Sequence, residues 1–243
     1  MDYREWLKEA AQERLQMQLS TEQLDLFHRY YHLLVEGNKK MNLTAITDEK
    51  EVFVKHFFDS LTLASHLSFA EVNSLIDVGT GAGFPGIPLK IAYPHLRLVL
   101  LDSLNKRVTF MKETVAELGL SGVECVHGRA EEAARKPMFR ESFDVASARA
   151  VARLNVLAEY CLPFVRVGGR FVAWKGADVE EEMREARPGV RTLGGKAPDS
   201  IYLSLPEEMG ERHLIVVAKE RPTPKSYPRS AGTPARKPLH HHS

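Results

Sequence analysis

Four glycines fall within the eight residues Gly79-Thr80-Gly81-Ala82-Gly83-Phe84-Pro85-Gly86, directly after the apolar run Leu75-Ile76-Asp77-Val78. Glycine loses more conformational freedom on ordering than any other residue, so such density implies a sharp turn or a ligand lying close to the backbone. A strand that runs into this turn and then into a helix places it at the carboxyl edge of an α/β sheet, where open sheets bind their ligands. Gly81, Gly83 and Gly86 also match the dinucleotide spacing G-x-G-x-x-G, with an acid, Asp102, about 20 residues on. The pattern by itself does not choose a ligand, and a glycine turn with no ligand is the bland alternative.

Charge does choose. Asp77 stands at the strand end beside the loop, where it repels a pyrophosphate and suits the sulfonium and ammonium of S-adenosylmethionine. Asp102 ends the second strand and either accepts hydrogen bonds from ribose hydroxyls or caps the next helix. Glu131, in Gly128-Arg129-Ala130-Glu131 after the third strand, either meets an adenine or caps a helix. Arg149, in Ser147-Ala148-Arg149-Ala150 after the fourth strand, either holds a carboxylate or phosphate near the transferred group or forms a surface ion pair. Cys125 and Cys161 sit in apolar contexts without metal-ligand spacing. They are expected as buried thiols in a reducing, cytoplasmic compartment, and no metal is expected.

The elements that position these residues fall into three zones. Residues 1–70 have helical periodicity and form a small N-terminal extension. Leu24, Phe27, Tyr31 and Leu34 share one face of a helix that Ser20-Thr21 caps and Gly37-Asn38 ends, and a second helix spans Glu49 to Leu67. Residues 71–220 form the main domain. Strands are expected at Ser74–Val78, Arg97–Leu101, Val123–His127, Phe143–Ser147 and Arg170–Trp174, with helices at Pro88–Tyr93, Asn105–Leu118 and Leu154–Val165 between them. This alternation predicts a parallel sheet covered on both faces. A helix at Glu180–Arg187 and an antiparallel pair at Ser200–Leu205 and His213–Lys219 close the domain. Residues 221–239 read as a proline-rich basic tail, and 240–243 as a tag remnant.

Of 243 residues, 44% are hydrophobic and 27% charged, as in a globular protein with its own core. The net charge is +1, so any basic surface must be local. The N-terminus lacks an apolar signal core and no run reaches the length of a membrane span.

Taken together, Asn38-Lys39-Lys40-Met41-Asn42-Leu43-Thr44, His56-Phe57-Phe58-Asp59-Ser60-Leu61, the glycine loop with its Phe-Pro-Gly ending, Asp102-Ser103 with Lys106-Arg107, Arg129-Ala130-Glu131, Ala148 to Ala152 and Tyr227-Pro228-Arg229 resemble the small-subunit rRNA methyltransferase G family, also called GidB. The resemblance covers nearly the whole chain. It implies a Rossmann-like class I methyltransferase fold with S-adenosylmethionine as cofactor. It places Gly79, Phe84, Asp102, Ser103, Leu104, Ala130, Glu131 and Arg149 against that cofactor, beside Asp77 and Gly81 from the loop itself. The implied reaction is methylation of N7 of guanosine 527 in the decoding-region loop of 16S rRNA, on RNA or on the small ribosomal subunit; a monomer is expected.

The chemistry agrees. No Asn-Pro-Pro-Tyr or Asp-Pro-Pro-Tyr segment follows the fourth strand, which argues against an exocyclic amine as acceptor. Neither cysteine lies there, which argues against a thiolate adduct on a pyrimidine. Guanine N7 has a free lone pair and needs no base, so Arg149 is expected to position the cofactor or the base. Asn38 and Lys39 are expected at RNA, or else in a solvated loop. His56 and Lys175 are each read as a substrate contact or a packing residue. From the tail, Tyr227 is expected to stack on an exposed base and Arg229 to meet phosphate, unless the tail is merely solubilising. Three other readings remain: a small-molecule methyltransferase, a cofactor-binding ribosome-assembly factor, and a nicotinamide-dependent oxidoreductase.

Overall fold

The computed structural model describes residues 2–149, 152–176 and 179–239. Ala150 and Val151 of the fourth-strand motif and the expected tag remnant at 240–243 fall outside them.

Helix α1 (Tyr3–Leu15) is followed by α2 (Thr21–Met41), which begins at a capping box. Ser20 Oγ accepts from the Gln23 amide, and the Gln23 side chain accepts from the Ser20 amide. The expected stop at Gly37-Asn38 is overrun, because the helix continues to Met41 and Asn42 supplies the left-handed cap. Gly37 has a packing role instead: a Cβ there would stand 2.5 Å from the Phe110 ring. The expected helix from Glu49 to Leu67 is divided into α3 (Glu49–Val52), a π-helical turn (Phe53–Phe58), α4 (Asp59–Leu61) and a 3-10 turn (Thr62–Ser65). A π turn inserts an extra residue and is common at functional sites. Here it carries His56 and leads straight into Asp59.

Strands β1 (Ser74–Val78), β2 (Arg97–Asp102), β3 (Val123–His127), β4 (Phe143–Arg149), β5 (Val165–Lys175), β6 (Asp199–Ser204) and β7 (Glu211–Ala218) form one sheet in the order β3-β2-β1-β4-β5-β7-β6. β1 to β5 pair in parallel, and β7 runs antiparallel to both its neighbours. Helices α5 (Gly86–Ala92), α6 (Asn105–Glu117), α7 (Ala130–Ala133), α8 (Leu154–Cys161), α9 (Glu180–Thr192) and α10 (Thr233–Arg236) complete the chain.

Side chains alternate along each strand and divide the sheet between two cores. Leu75, Leu98, Leu100 and Val172 pack with Phe27, Tyr30, Phe57 and the rest of the N-terminal helices. Ile76, Val99, Leu101 and Phe171 pack with α8 and α9. The N-terminal extension therefore shares its core with one face of the sheet. β1 lies between β2 and β4, so the winding reverses beside it and a crevice opens at the carboxyl ends of these strands.

Candidate active site

The crevice consists of two adjoining recesses of about 390 and 260 Å³ that share Gly79, Asp102 and Ser103. Together they fall within the roughly 300–1,000 Å³ of small-molecule sites. One reaches past Gly81 and Phe84 to Thr44, His56 and Arg149. The other reaches past Gly128 and Ala130 to Glu131, Tyr160 and Ala235.

Asp77 lines neither recess, which corrects its expected role as a direct ligand contact. It is wholly buried behind the loop. Oδ2 accepts from Thr80 Oγ1 (2.6 Å) and the Gly86 amide (3.0 Å), and Oδ1 accepts from Ser147 Oγ (3.0 Å). The carboxylate is thus an internal clamp on the glycine loop, and burial pushes its pKa up to about 6. Gly86 permits the clamp: a Cβ would stand 2.5 Å from Leu100 Cδ2 and 3.1 Å from Asp77 Oδ2.

Asp102 lies at the end of β2 and lines both recesses, and its carboxylate ties the glycine loop to the turn before α6. Oδ1 accepts from the Leu104 amide (2.9 Å) at the start of α6, and Oδ2 accepts from the Gly81 amide (2.9 Å), with Arg107 at 3.6 Å. A carboxylate has about four acceptor positions, so capacity remains on the crevice side. Glu131 is buried, and its Oε1 accepts from the Gly232 amide (2.8 Å), which ties the C-terminal segment to this end of the crevice. Leu104 is exposed beside Asp102 and Ser103.

At the other end Arg149 forms a junction between the sheet and the extension. Its Nη1 donates to Lys55 O (3.3 Å) and lies 3.5 Å from Asp59 Oδ2. Its Nη2 lies 3.1 Å from His56 Nδ1, and its guanidinium carbon lies 5.0 Å from the Phe84 ring centroid. His56 Nδ1 also lies 3.2 Å from Lys55 O, and Nε2 lies 3.0 Å from Thr44 Oγ1. The imidazole stacks on Phe84 with centroids 4.5 Å apart. Burial first, and then the charge of Arg149, lower its pKa to about 3.

A stability prediction follows from this shift. The unfolded chain takes up a proton below about pH 6.5 and the folded chain does not. The His56 contribution is therefore complete above that pH and is lost as pH falls toward 3, by roughly 1.4 kcal/mol per pH unit. Urea midpoints measured between pH 7 and 4.5 should fall less steeply for His56→Gln than for the wild type. Parallel curves would refute the assignment.

The remaining expected residues lie elsewhere or are already engaged. Asn38 Oδ1 accepts from the Thr44 amide (2.9 Å), so it shapes the loop that brings Thr44 to the crevice. Lys39 is exposed at the surface, paired with Glu36. Lys175 Nζ donates to Ala152 O (2.7 Å) and pairs with Glu182 at 2.8 Å.

Residues 221–239 are not a free tail, which corrects the expectations for Tyr227 and Arg229. Tyr227 packs against the second core and its carbonyl accepts from Arg140 (2.9 Å). Arg229 forms a two-pronged pair with buried Glu159, Nη2 to Oε2 at 2.6 Å and Nε to Oε1 at 3.0 Å. Sequence reading missed Thr44, Asp59, Arg107 and Arg212. Asp59 stands in the motif with His56 and Arg107 beside Asp102, so proximity was a signal for these two. Arg212 had none.

The rRNA small subunit methyltransferase G (GidB) family matches residues 23–215. The chain belongs to this family. The ribosomal RNA small subunit methyltransferase G of an Exiguobacterium species is 56% identical over 222 residues, 91% of this chain and 93% of that one. The protein of the same name from Staphylococcus haemolyticus is 51% identical over 235 residues, 97% of each chain. A solved S-adenosylmethionine-dependent O-methyltransferase from Thermotoga maritima shares the fold, with a TM-score of 0.51 and 17% identity over 79% of this chain and 72% of that one. The expected class I methyltransferase fold is the one found.

The crevice of this family member fits S-adenosylmethionine, the cofactor of methyltransferases of this fold. Open space lies over Gly81 and Gly128 where a Cβ would stand, and Asp102 keeps acceptor capacity for ribose hydroxyls. Among the described residues no cluster of three or more His, Cys, Asp or Glu is placed to hold a metal, and no helix is long and apolar enough to cross a membrane.

Proposed function

We propose that this chain transfers the methyl group of S-adenosylmethionine to N7 of the decoding-region guanosine of 16S rRNA, on RNA or on the small ribosomal subunit, in the cytoplasm. Gly79, Gly81, Asp102, Ser103, Ala130 and Glu131 border the cofactor, and Arg149 and His56 stand between it and the base.

The observation that carries the reading is that His56 and Arg149 are the residues lining both the cofactor crevice and the recess beside it. Burial and the neighbouring charge of Arg149 push the His56 pKa down to about 3, and Arg149 is a cation. Neither can take a proton from a nucleophile near neutral pH. Guanine N7 asks for no such transfer, because its lone pair is free. When bound, the cofactor supplies a methyl group already activated on a sulfonium. The protein has only to orient N7 toward it, and orientation can supply on the order of 7–11 kcal/mol.

The test is transfer of labelled methyl from S-adenosylmethionine to unmodified small-subunit RNA and to intact subunits, with the label mapped by cleavage at 7-methylguanosine. The expected result is one labelled guanosine. Cofactor binding with no transfer to either substrate would overturn the reading in favour of a small-molecule methyltransferase or an assembly factor.

A further inference from the structure

Arg149 and His56 also border a third recess, of about 260 Å³, between the π-helical turn, the end of β5 and β7. Ile46, Lys55, Asp59, Trp174, Lys175 and Arg212 complete its wall. One water occupies roughly 30 Å³ in the liquid, so the recess has room for a group far larger than a water molecule. Asp59 is 2% exposed. Its Oδ2 lies 3.1 Å from Arg212 Nε and 3.5 Å from Arg149 Nη1, while its Oδ1 is buried without a hydrogen-bond partner among the described residues. A buried acceptor left unpaired is costly, and a ligand donor would relieve that cost.

Guanine presents N7, O6, N1–H and the 2-amino group in that order along its rim. The protein presents the cofactor crevice, then Arg149, then Asp59. Acceptor O6 meets the guanidinium, and the donor edge meets the carboxylate. We propose that this recess seats the target base and that Asp59 Oδ1 accepts a hydrogen bond from the 2-amino group of guanine, which makes Asp59 the residue that selects guanine. The inference rests on the N7 reading above. Adenine offers an acceptor at N1 and an amine in place of O6, each opposed by the group it would face. Methylation at N7 gives the ring a positive charge that spreads toward the 2-amino group. The bond to Asp59 therefore strengthens as the reaction proceeds and favours the transition state over the ground state.

Inosine keeps N7, O6 and N1–H and lacks only the 2-amino group. With an RNA carrying inosine at the target position, the wild-type kcat/KM should fall on the order of 10–100-fold, the range for one hydrogen bond to a charged group. In Asp59→Asn the amide oxygen takes the place of Oδ2 between the two arginines, which leaves an amine at the Oδ1 position. The guanosine rate should drop and the guanosine-to-inosine ratio should fall to within about threefold, with the cofactor Kd and melting temperature recorded on the same sample. Ile46→Trp fills the recess from its rim and should lower kcat/KM at least tenfold while leaving the cofactor Kd unchanged, a result independent of whether Asp59→Asn folds. Equal wild-type rates on guanosine and inosine would overturn the proposal, as would full discrimination by Asp59→Asn or full activity of Ile46→Trp. Absence of transfer to the guanosine RNA itself would strike the methyl-transfer reading and this inference with it.

Discussion

Arg149→Lys is expected to lower kcat/KM for small-subunit RNA about 100-fold while changing the Kd for S-adenosylmethionine by less than about threefold. The guanidinium reaches Lys55 O and His56 Nδ1, approaches Asp59 Oδ2 and covers the Phe84 ring, all from one planar group. An ammonium is a point donor and cannot span these partners together. Its loss would free His56 to turn on Phe84 and leave Asp59 to Arg212 alone. The recorded donors of Arg149 go to the N-terminal extension and not to the cradle around Gly81 and Asp102, so the loss should appear on the RNA side. Isothermal titration of the cofactor and steady-state methyl transfer separate the two effects. A rise in cofactor Kd that matched the loss of activity would show that Arg149 holds the amino-acid end of the cofactor instead.

What could be read from the sequence was what neighbouring residues dictate. The strand at Ser74–Val78, the glycine loop and Asp102 follow from short-range patterning, and the structure places them together at the crevice. Asp77 was found and misassigned, because type and spacing cannot tell a carboxylate that faces a ligand from one that faces Thr80 and Gly86. Gly37 was read as a helix stop because its reason for being glycine, the Phe110 ring, lies far along the chain. The pairs that build the proposed base recess are more distant still. Arg212 meets Asp59 across 153 residues and Arg149 meets His56 across 93. The π-helical turn that carries His56 has no propensity signature in Phe53–Phe58, and its ring contacts, Phe57 with Phe27 and Phe84, are with residues distant in the chain. For the basic C-terminal run the opposite holds: its composition was plain, but the partner of Arg229, Glu159, is buried in α8.

That buried counter-charge supports the second large effect. Arg229→Ala should destabilise the protein by about 3–5 kcal/mol, the usual cost of leaving one member of a buried ion pair unmatched. For a chain of this size each kcal/mol moves the melting temperature by roughly 2–4 °C, so calorimetry should record a fall of about 6–20 °C. Glu159 is fully buried on α8 and takes the Arg229 amide (2.7 Å) as well as the guanidinium, so a whole turn of the C-terminal segment depends on it. From there the chain runs to Gly232, held by Glu131, and to Ala235 at the crevice wall. Cofactor affinity should therefore weaken along with stability. The salt dependence of RNA binding should not change, because Arg229 already spends its charge inside the protein. A phosphate contact at this position would give the reverse pattern: a melting temperature within about 2 °C of the wild type, and a salt slope lower by about one contact.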